Sequence, residues 1–219
     1  MNDFLKLTGF CDYNHPQILS KAESLVIGNP DKIETAIKIY HIVRDGILFK
    51  NVSPANCASE ILCEGEGNCF AKTKLQISLL RACGIPSGYL LQEITAESMR
   101  PFFSEKALSL LGDPVLHVVC AVYISGRWLK ADATFDEEIL RLSGCGGWDV
   151  AGCWDGHSDQ MLPNDSILRE VAGPLPQVKG SDDIPKLSED ELKITNEKVK
   201  ALRLKKGHPK APRGSELIQ

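Results

Sequence analysis

The sequence lacks long hydrophobic runs and a strong charge of either sign. No apolar segment approaches the roughly 20 residues that a membrane-spanning helix needs, and the N-terminus has no charged-then-apolar signal pattern. A net charge of −4 gives no general attraction to nucleic acid or to anionic lipids. These absences argue against a membrane protein and a nucleic-acid-binding protein, and we expect a cytoplasmic location.

Cysteine, by contrast, is plentiful. The chain has eight cysteines, but 43% of its residues are hydrophobic, so a core can form without disulfide bonds. Several cysteines lie inside apolar runs, where a free thiol behaves as a small hydrophobic group. We therefore expect reduced thiols, one of them with a special role. Their positions are Cys11, Cys57, Cys63, Cys69, Cys83, Cys120, Cys145 and Cys153.

The length of 219 residues suits a single domain followed by a tail. We expect the domain over residues 1–176 and a charged C-terminal tail over residues 177–219. Ser188 and Glu191 form a helix-capping signal, so part of the tail is expected to be helical, to about Lys206. The basic residues of the tail are interpreted as a solvated helix face rather than a nucleic-acid contact.

Hydrophobic periodicity and turn residues predict mostly helices before residue 87 and strands after it. In chain order, the expected elements are helices over 17–27 and from Asp31, a helical turn over 58–63, a helix from Cys69, a strand over 87–94, one short helix within 95–114, strands over 115–124 and 127–134, and an irregular loop over 141–163.

A glycine-rich loop over residues 65–68 leads directly into Cys69. Apolar residues at helical spacing follow, and Gly84 with Pro86 ends that segment. Cys69 is therefore expected in the first turn of a helix, where unpaired N–H groups and the helix dipole favour a thiolate. This is the environment that a nucleophilic cysteine needs.

Two segments, residues 115–124 and 127–134, predict a β-hairpin with Ser125-Gly126 as its turn. With a two-residue turn, His117 and Asp132 lie on one face as diagonal neighbours, with Cβ atoms about 7–8 Å apart. A three-residue turn would shift the register by one and move Asp132 to the other face. The proximity of the two side chains thus depends on the turn.

Cys69, His117 and Asp132 together supply the three groups of a Cys-His-Asp catalytic triad. His117 would take the thiol proton, and Asp132 would orient the imidazole and stabilise the imidazolium. Asp136 is the alternative candidate for the acid. Asp132 is favoured because it is predicted to share a face of the hairpin with His117.

Three separated motifs resemble the signature of the transglutaminase-like superfamily. They are Gly65-x-Gly67-x-Cys69, the run LLRACGIP over residues 79–86, and the segment from His117 to Thr134. The resemblance covers roughly residues 30–135. It implies an α+β fold with a papain-like, transglutaminase-like core, in which the catalytic helix packs against an antiparallel β-sheet.

The resemblance also implies a type of chemistry, because the family contains crosslinking enzymes, cysteine proteases, peptide N-glycanases and small-molecule acyl-transfer enzymes. We expect a hydrolase that cleaves an amide through a thioester acyl-enzyme, as a protease or amidase, on a peptide, a protein or a small amide. One alternative is transfer of the acyl group to an amine, in crosslinking or amide synthesis. Another is a non-catalytic binding module with the same fold. No cofactor or metal is expected.

The chain departs from the family pattern at Phe49, where many members carry a polar aromatic residue. Phe49 has no hydrogen-bond donor, which leaves the second donor to the reaction's oxyanion open. The backbone N–H of Cys69 is the first donor, and Asn68 and Gln92 are candidates for the second. Asn68 is accordingly predicted to contact the substrate.

The loop rich in Gly, Trp and Cys allows two further interpretations. Cys145, Cys153 and His157 suggest a zinc site, but their spacing makes no paired Cys-x-x-Cys knuckle and no fourth ligand is evident, so loop packing is favoured. Trp154, with Trp148, is predicted to line the substrate cleft. The alternative is that both are structural tryptophans.

Overall fold

A computed structural model describes residues 1–28, 30–52, 56–143, 154–160, 167–178 and 187–204. Its helices, after a short 3₁₀ helix at Asn2–Leu5, are α1 (Pro16–Leu25), α2 (Lys32–Gly46), α3 (Ala58–Glu64), α4 (Cys69–Ala82), α5 (Ala96–Met99), α6 (Glu105–Leu111), α7 (Glu137–Ser143) and α8 (Glu189–Leu204). Its strands are β1 (Leu48–Phe49), β2 (Glu66–Gly67), β3 (Ser87–Ile94), β4 (Val115–Ile124), β5 (Arg127–Ala131) and β6 (Ile167–Leu175).

The main sheet has four strands in the order β5-β4-β3-β6, and each neighbouring pair is antiparallel. Strand β6 has no counterpart among the sequence predictions. Its residues are mostly exposed or half-buried, and Gly173-Pro174 interrupts the pattern, so the segment lacks the alternation that identifies a half-buried strand. The short strands β1 and β2 form a separate parallel pair.

The hairpin of β4 and β5 has the two-residue turn that brings His117 and Asp132 to one face. Ser125 and Gly126 both have positive φ, 52° and 82°, as in the tight turns that match the twist of antiparallel strands. Ile124 pairs with Arg127, which confirms the predicted register. Strand β5 ends at Ala131, earlier than predicted, so Asp132 lies just beyond the strand.

Helix α4 lies at the centre of the larger hydrophobic core and packs against β4. Helices α1, α2 and α3 also contact it, so α4 is buried on almost every side. Each fully buried aliphatic side chain contributes roughly 1.5–3 kcal/mol, and this packing fixes the position of the first residue of α4. The predicted helix on an antiparallel sheet is confirmed. The shared core includes Leu75, Ile77, Leu79 and Leu80 of α4 and Val118, Cys120 and Val122 of β4.

A second core cluster contains three phenylalanines, Phe49, Phe102 and Phe135. The rings of Phe102 and Phe135 stack with centroids 4.2 Å apart, and Phe49 lies 4.5 Å from Phe135. The short helices α5 and α6 cover this cluster, whereas one helix was predicted here. The first of them ends at Met99, and Pro101 follows two residues later.

Helix α8 lies in the C-terminal region, where a partly helical tail was predicted. Ser188 caps it by accepting from the backbone N–H of Glu191 at 3.3 Å, and Val199 inserts into the second core cluster. Arg203 forms two hydrogen bonds with the buried carboxylate of Asp136. The helix is therefore docked on the domain, while the boundary at residue 176 stays a prediction.

Within the described ranges, none of the helices combines the length and the hydropathy that crossing a membrane requires.

Candidate active site

Cys69 is the first residue of α4, and the residues before it hold that helix end in place. Asn68 is the N-cap, and its side chain accepts from the N–H of Ala71 at 3.2 Å. A Cβ added to Gly67 would lie 2.9 Å from the Cβ of Ala71, so only glycine permits this close approach. Helix geometry leaves the N–H of Cys69 without an intrahelical partner, and the dipole at this end favours negative charge on the thiol.

His117 and Asp132 form a buried hydrogen-bonded pair. His117 Nε2 lies 2.8 Å from Asp132 Oδ2, and 1% of His117 is exposed. The other carboxylate oxygen, Oδ1, accepts from the N–H of Thr134 at 2.9 Å. Because both oxygens are held, the carboxylate fixes the orientation of the imidazole ring and leaves Nδ1 as the nitrogen that can exchange a proton with another group.

Cys69 lies beside the imidazole of His117 and contributes to the pKa of that ring. Burial alone would lower the pKa of His117, but the charge and hydrogen bond of Asp132, together with the neighbouring Cys69, raise it to about 10. Nδ1 itself is buried and makes no hydrogen bond within the described residues. An imidazole with so high a pKa is protonated at neutral pH and places a positive charge beside the Cys69 sulfur.

Asp136, the competing carboxylate, serves a different purpose. Its oxygens accept from the backbone N–H groups of Phe49 at 2.9 Å and Ile139 at 3.0 Å. They also form the two hydrogen bonds with Arg203. Asp136 thus connects the end of β1, the start of α7 and α8, while Asp132 is the carboxylate bonded to His117.

Comparison with known proteins identifies the family. The sequence model of the transglutaminase-like superfamily matches residues 20–133, just over half of the 219 residues, and the match includes Cys69, His117 and Asp132. The chain belongs to the transglutaminase-like superfamily.

The solved structures that resemble this superfamily member include one described as a putative cysteine protease from Cytophaga hutchinsonii. The two chains are 22% identical with a TM-score of 0.45, and the match covers 60% of this chain and 40% of the other. This chain therefore spans less than half the length of that protein. None of the curated proteins matches the present chain.

Phe49 is the residue predicted to stand where the superfamily pattern has a polar aromatic side chain. The ring is 2% exposed and packs in the second core cluster with Phe102 and Phe135. Phe49 is therefore a core residue, and it supplies no hydrogen bond to a reacting group.

The two residues predicted to contact substrate both have structural contacts. The Asn68 side chain accepts from Ala71 and donates from Nδ2 to the carbonyl of Val52 at 3.1 Å. Trp154 is 3% exposed and belongs to the larger core. Its ring lies 5.8 Å from that of Tyr40, and Nε1 donates to the carbonyl of Ser158. Substrate contact by either residue stays a prediction.

The suggested zinc ligands are only partly open to inspection. Cys145 and Cys153, like Trp148, lie outside the described residues. His157 is described and is exposed. Across the described ranges, no three His, Cys, Asp or Glu side chains come together as metal ligands would.

Two buried residues near the triad were not identified from the sequence. Lys72 is completely buried one turn after Cys69, and its ammonium group donates to the carbonyls of Arg44 and Ile47 at the end of α2. Burial lowers the pKa of Lys72 to about 7, although neighbouring carboxylates oppose the shift. Lysine side chains are usually exposed, so the sequence did not predict that Lys72 would be buried.

Tyr40 of α2 is the second such residue. Burial raises the pKa of Tyr40, Arg44 opposes the rise, and the negative charge of Asp132 adds to it. Helix α2 therefore lies close enough to Asp132 for its charge to act on Tyr40. No sequence signal placed Tyr40 near Asp132.

Proposed function

We propose that this chain is a cysteine enzyme that cleaves an amide bond through a thioester acyl-enzyme, as a protease or amidase. The observation that carries the proposal is the buried His117–Asp132 pair beside Cys69 at the N-terminus of α4. A structural cysteine needs neither a proton acceptor nor an orienting carboxylate. All three groups fall within or next to the part of the chain that matches the superfamily.

The chemistry follows from the position of each group. The thiolate sulfur of Cys69 attacks the carbonyl carbon, and the carbonyl π-electron pair moves to oxygen as the C–S bond forms. When the carbonyl re-forms, the C–N bond breaks, and His117 gives its proton to the leaving amine. Water then attacks the thioester, His117 takes a proton from it, and Cys69 leaves as the thiolate with release of the carboxylic acid. Asp132 stabilises the imidazolium in both states.

Selective alkylation tests the nucleophile. The full chain is treated with limiting iodoacetamide across a range of pH, and the labelled cysteines are identified by mass spectrometry. We expect Cys69 to react first, Cys69→Ala to lose the fast phase, and His117→Ala to slow it, because His117 supplies the positive charge beside the sulfur. Equal labelling of all eight cysteines would contradict the proposal.

Acyl transfer tests the reaction itself. p-Nitrophenyl acetate should give a burst of p-nitrophenol and an acetyl group on Cys69, and Cys69→Ser should lose the burst. Adding a primary amine then separates the two outcomes of the acyl-enzyme. Acetate as the main product supports hydrolysis, whereas an acetylated amine formed in preference to acetate favours the transferase alternative. A folded protein that forms no acyl-enzyme would refute both.

A further inference from the structure

Near the residue before Cys69, one side-chain amide nitrogen has no hydrogen-bond partner in the part of the chain that the structure describes. Asn51 is 4% exposed, and its Nδ2 is buried without a hydrogen bond within the described residues. Nearly all buried amide groups in proteins are hydrogen-bonded, so an unpaired one calls for an explanation. One explanation is that the partner arrives with the substrate.

The backbone places Asn51 beside the reactive cysteine. Strand β1 pairs in parallel with β2, with Phe49 opposite Gly67. The pairing continues past the strands, because Lys50 N donates to the carbonyl of Gly67 at 3.1 Å. The Asn68 side chain then reaches Val52 at 3.1 Å. Asn51 lies between these two contacts, so its backbone runs alongside Asn68, the residue before Cys69.

Strand alternation indicates which side of this segment the Asn51 side chain occupies. Residues 49 and 51 lie on the same side, and Phe49 packs in the second core cluster, which also contains Val115. Val115 and His117 share one face of β4 by the same alternation. Asn51 and His117 therefore both lie on the side of their segments that faces this cluster.

The backbone of Asn51 is held by α8. Its N–H donates to Asn196 Oδ1, and its carbonyl accepts from Asn196 Nδ2, both at 2.9 Å. This reciprocal pair satisfies both backbone groups of Asn51 with one side chain. Arg203, on the same helix, anchors α8 to Asp136. A donor on a backbone fixed in this way is preorganised, as a group that stabilises transition-state charge must be.

We propose that Asn51 supplies the second hydrogen bond to the oxyanion, and that Asn196 is its positioning residue. The inference rests on the proposed function. As the C–S bond forms, the Nδ2 of Asn51 and the N–H of Cys69 donate to the carbonyl oxygen, which carries the displaced electron pair. When the leaving amine departs, this pair returns to the C=O bond. The assignment fills the role that Phe49 lacks the chemistry to perform.

Nδ2 of Asn51 is buried, so a substrate cannot contact it without a local movement. A carbonyl oxygen reaches the atom only if the Asn51 side chain rotates or a neighbour moves as substrate enters, and catalytic hydrogen bonds often tighten only in the complex.

Two reactions of Cys69 separate an oxyanion donor from a structural residue. Alkylation by iodoacetamide forms no oxyanion, whereas acylation by p-nitrophenyl acetate does. We expect Asn51→Leu, which keeps the approximate shape but removes the donor, to slow acylation by about 10²–10³-fold and to leave alkylation unchanged. Asn196→Ala should give a smaller loss in acylation alone. Asn56→Ala is the matched control, because the side chain of Asn56 bonds only to Glu64 at the surface.

The outcomes are distinct. Normal acylation by a folded Asn51→Leu overturns this inference and leaves the proposed function intact, whereas a wild-type chain that is never acylated overturns both. Equal losses in acylation and alkylation also overturn it, because they would mean that Asn51 acts on the sulfur or on the fold. If Asn51→Leu does not fold, Asn51→Ser replaces it. A loss confined to Gln92→Ala would assign the donor to Gln92, which lies opposite His117 on β3.

Discussion

Asp132 and Asp136 are close in sequence and similarly buried, with 6% and 4% of their side chains exposed. In each, burial favours the neutral form, but hydrogen bonds and nearby positive charge hold the pKa of the carboxyl group below its usual value. The two differ in the chemistry of the partner. Asp132 faces an imidazole, which can lose its proton, whereas Asp136 faces the guanidinium of Arg203, which cannot.

This difference explains why two similar carboxylates can have separate roles. A partner that titrates allows proton transfer, and Cys69 lies beside that partner. Arg203 has a permanent charge and cannot exchange a proton with Asp136. The pair instead joins α8 to the end of β1 and the start of α7. Burial alone therefore does not identify a catalytic acid, and the identity of its partner is the more informative observation.

The largest expected effect is the loss of activity in Asp132→Asn. The variant keeps the shape of the side chain but removes the charge that raises the pKa of His117. Both Cys69 alkylation and acylation by p-nitrophenyl acetate should fall at neutral pH, the acylation by roughly 10²–10⁴-fold. The chain should remain folded by circular dichroism. Wild-type rates in the folded variant would remove Asp132 from the triad.

The matched change at the other carboxylate should affect stability instead. Asp136→Asn leaves the Arg203 guanidinium without its main partner, and breaking such a buried pair costs about 3 kcal/mol of unfolding free energy. Urea unfolding measures this loss. Alkylation of Cys69 per folded molecule should stay at the wild-type rate, and the comparison between the two carboxylates would fail if it dropped as in Asp132→Asn.

A smaller change at the same contact sharpens this result. Arg203→Lys keeps the charge but loses the two-pronged geometry, so it should cost about 1 kcal/mol of unfolding free energy. A loss as large as that of Asp136→Asn would mean that the paired geometry, rather than the charge, carries the stability.

The comparison also predicts how stability depends on pH. The pKa of His117 is raised from 6.5 to about 10, so its contribution to stability is complete below about pH 6.5 and disappears as the pH rises through about 10. The lowered pKa of Asp132 gives a contribution that is lost in acid. The difference in unfolding free energy between wild type and Asp132→Asn should shrink above pH 7. A constant difference from pH 6 to pH 10 would indicate that His117 is not charged.

The sequence predicted the elements that depend on local signals. Cys69 at a helix start and the hairpin register follow from short patterns of glycine and apolar residues, and the register brings His117 to Asp132. The Asn51–Asn196 and Asp136–Arg203 contacts join residues far apart in the chain. Nothing in a single sequence indicates such partners, because they depend on how helices dock after the local elements have formed.

The outer edge formed by β1 and the segment after it is completed late in synthesis. The backbone N–H groups of Phe49 and Asn51 on that edge are bonded to Asp136 and Asn196, and α8 follows every other described element in the chain. During synthesis, Cys69, His117 and Asp132 therefore emerge before the helix that completes the edge beside them. The nascent chain acquires the three residues of the candidate site early and the last support of the β1 edge late.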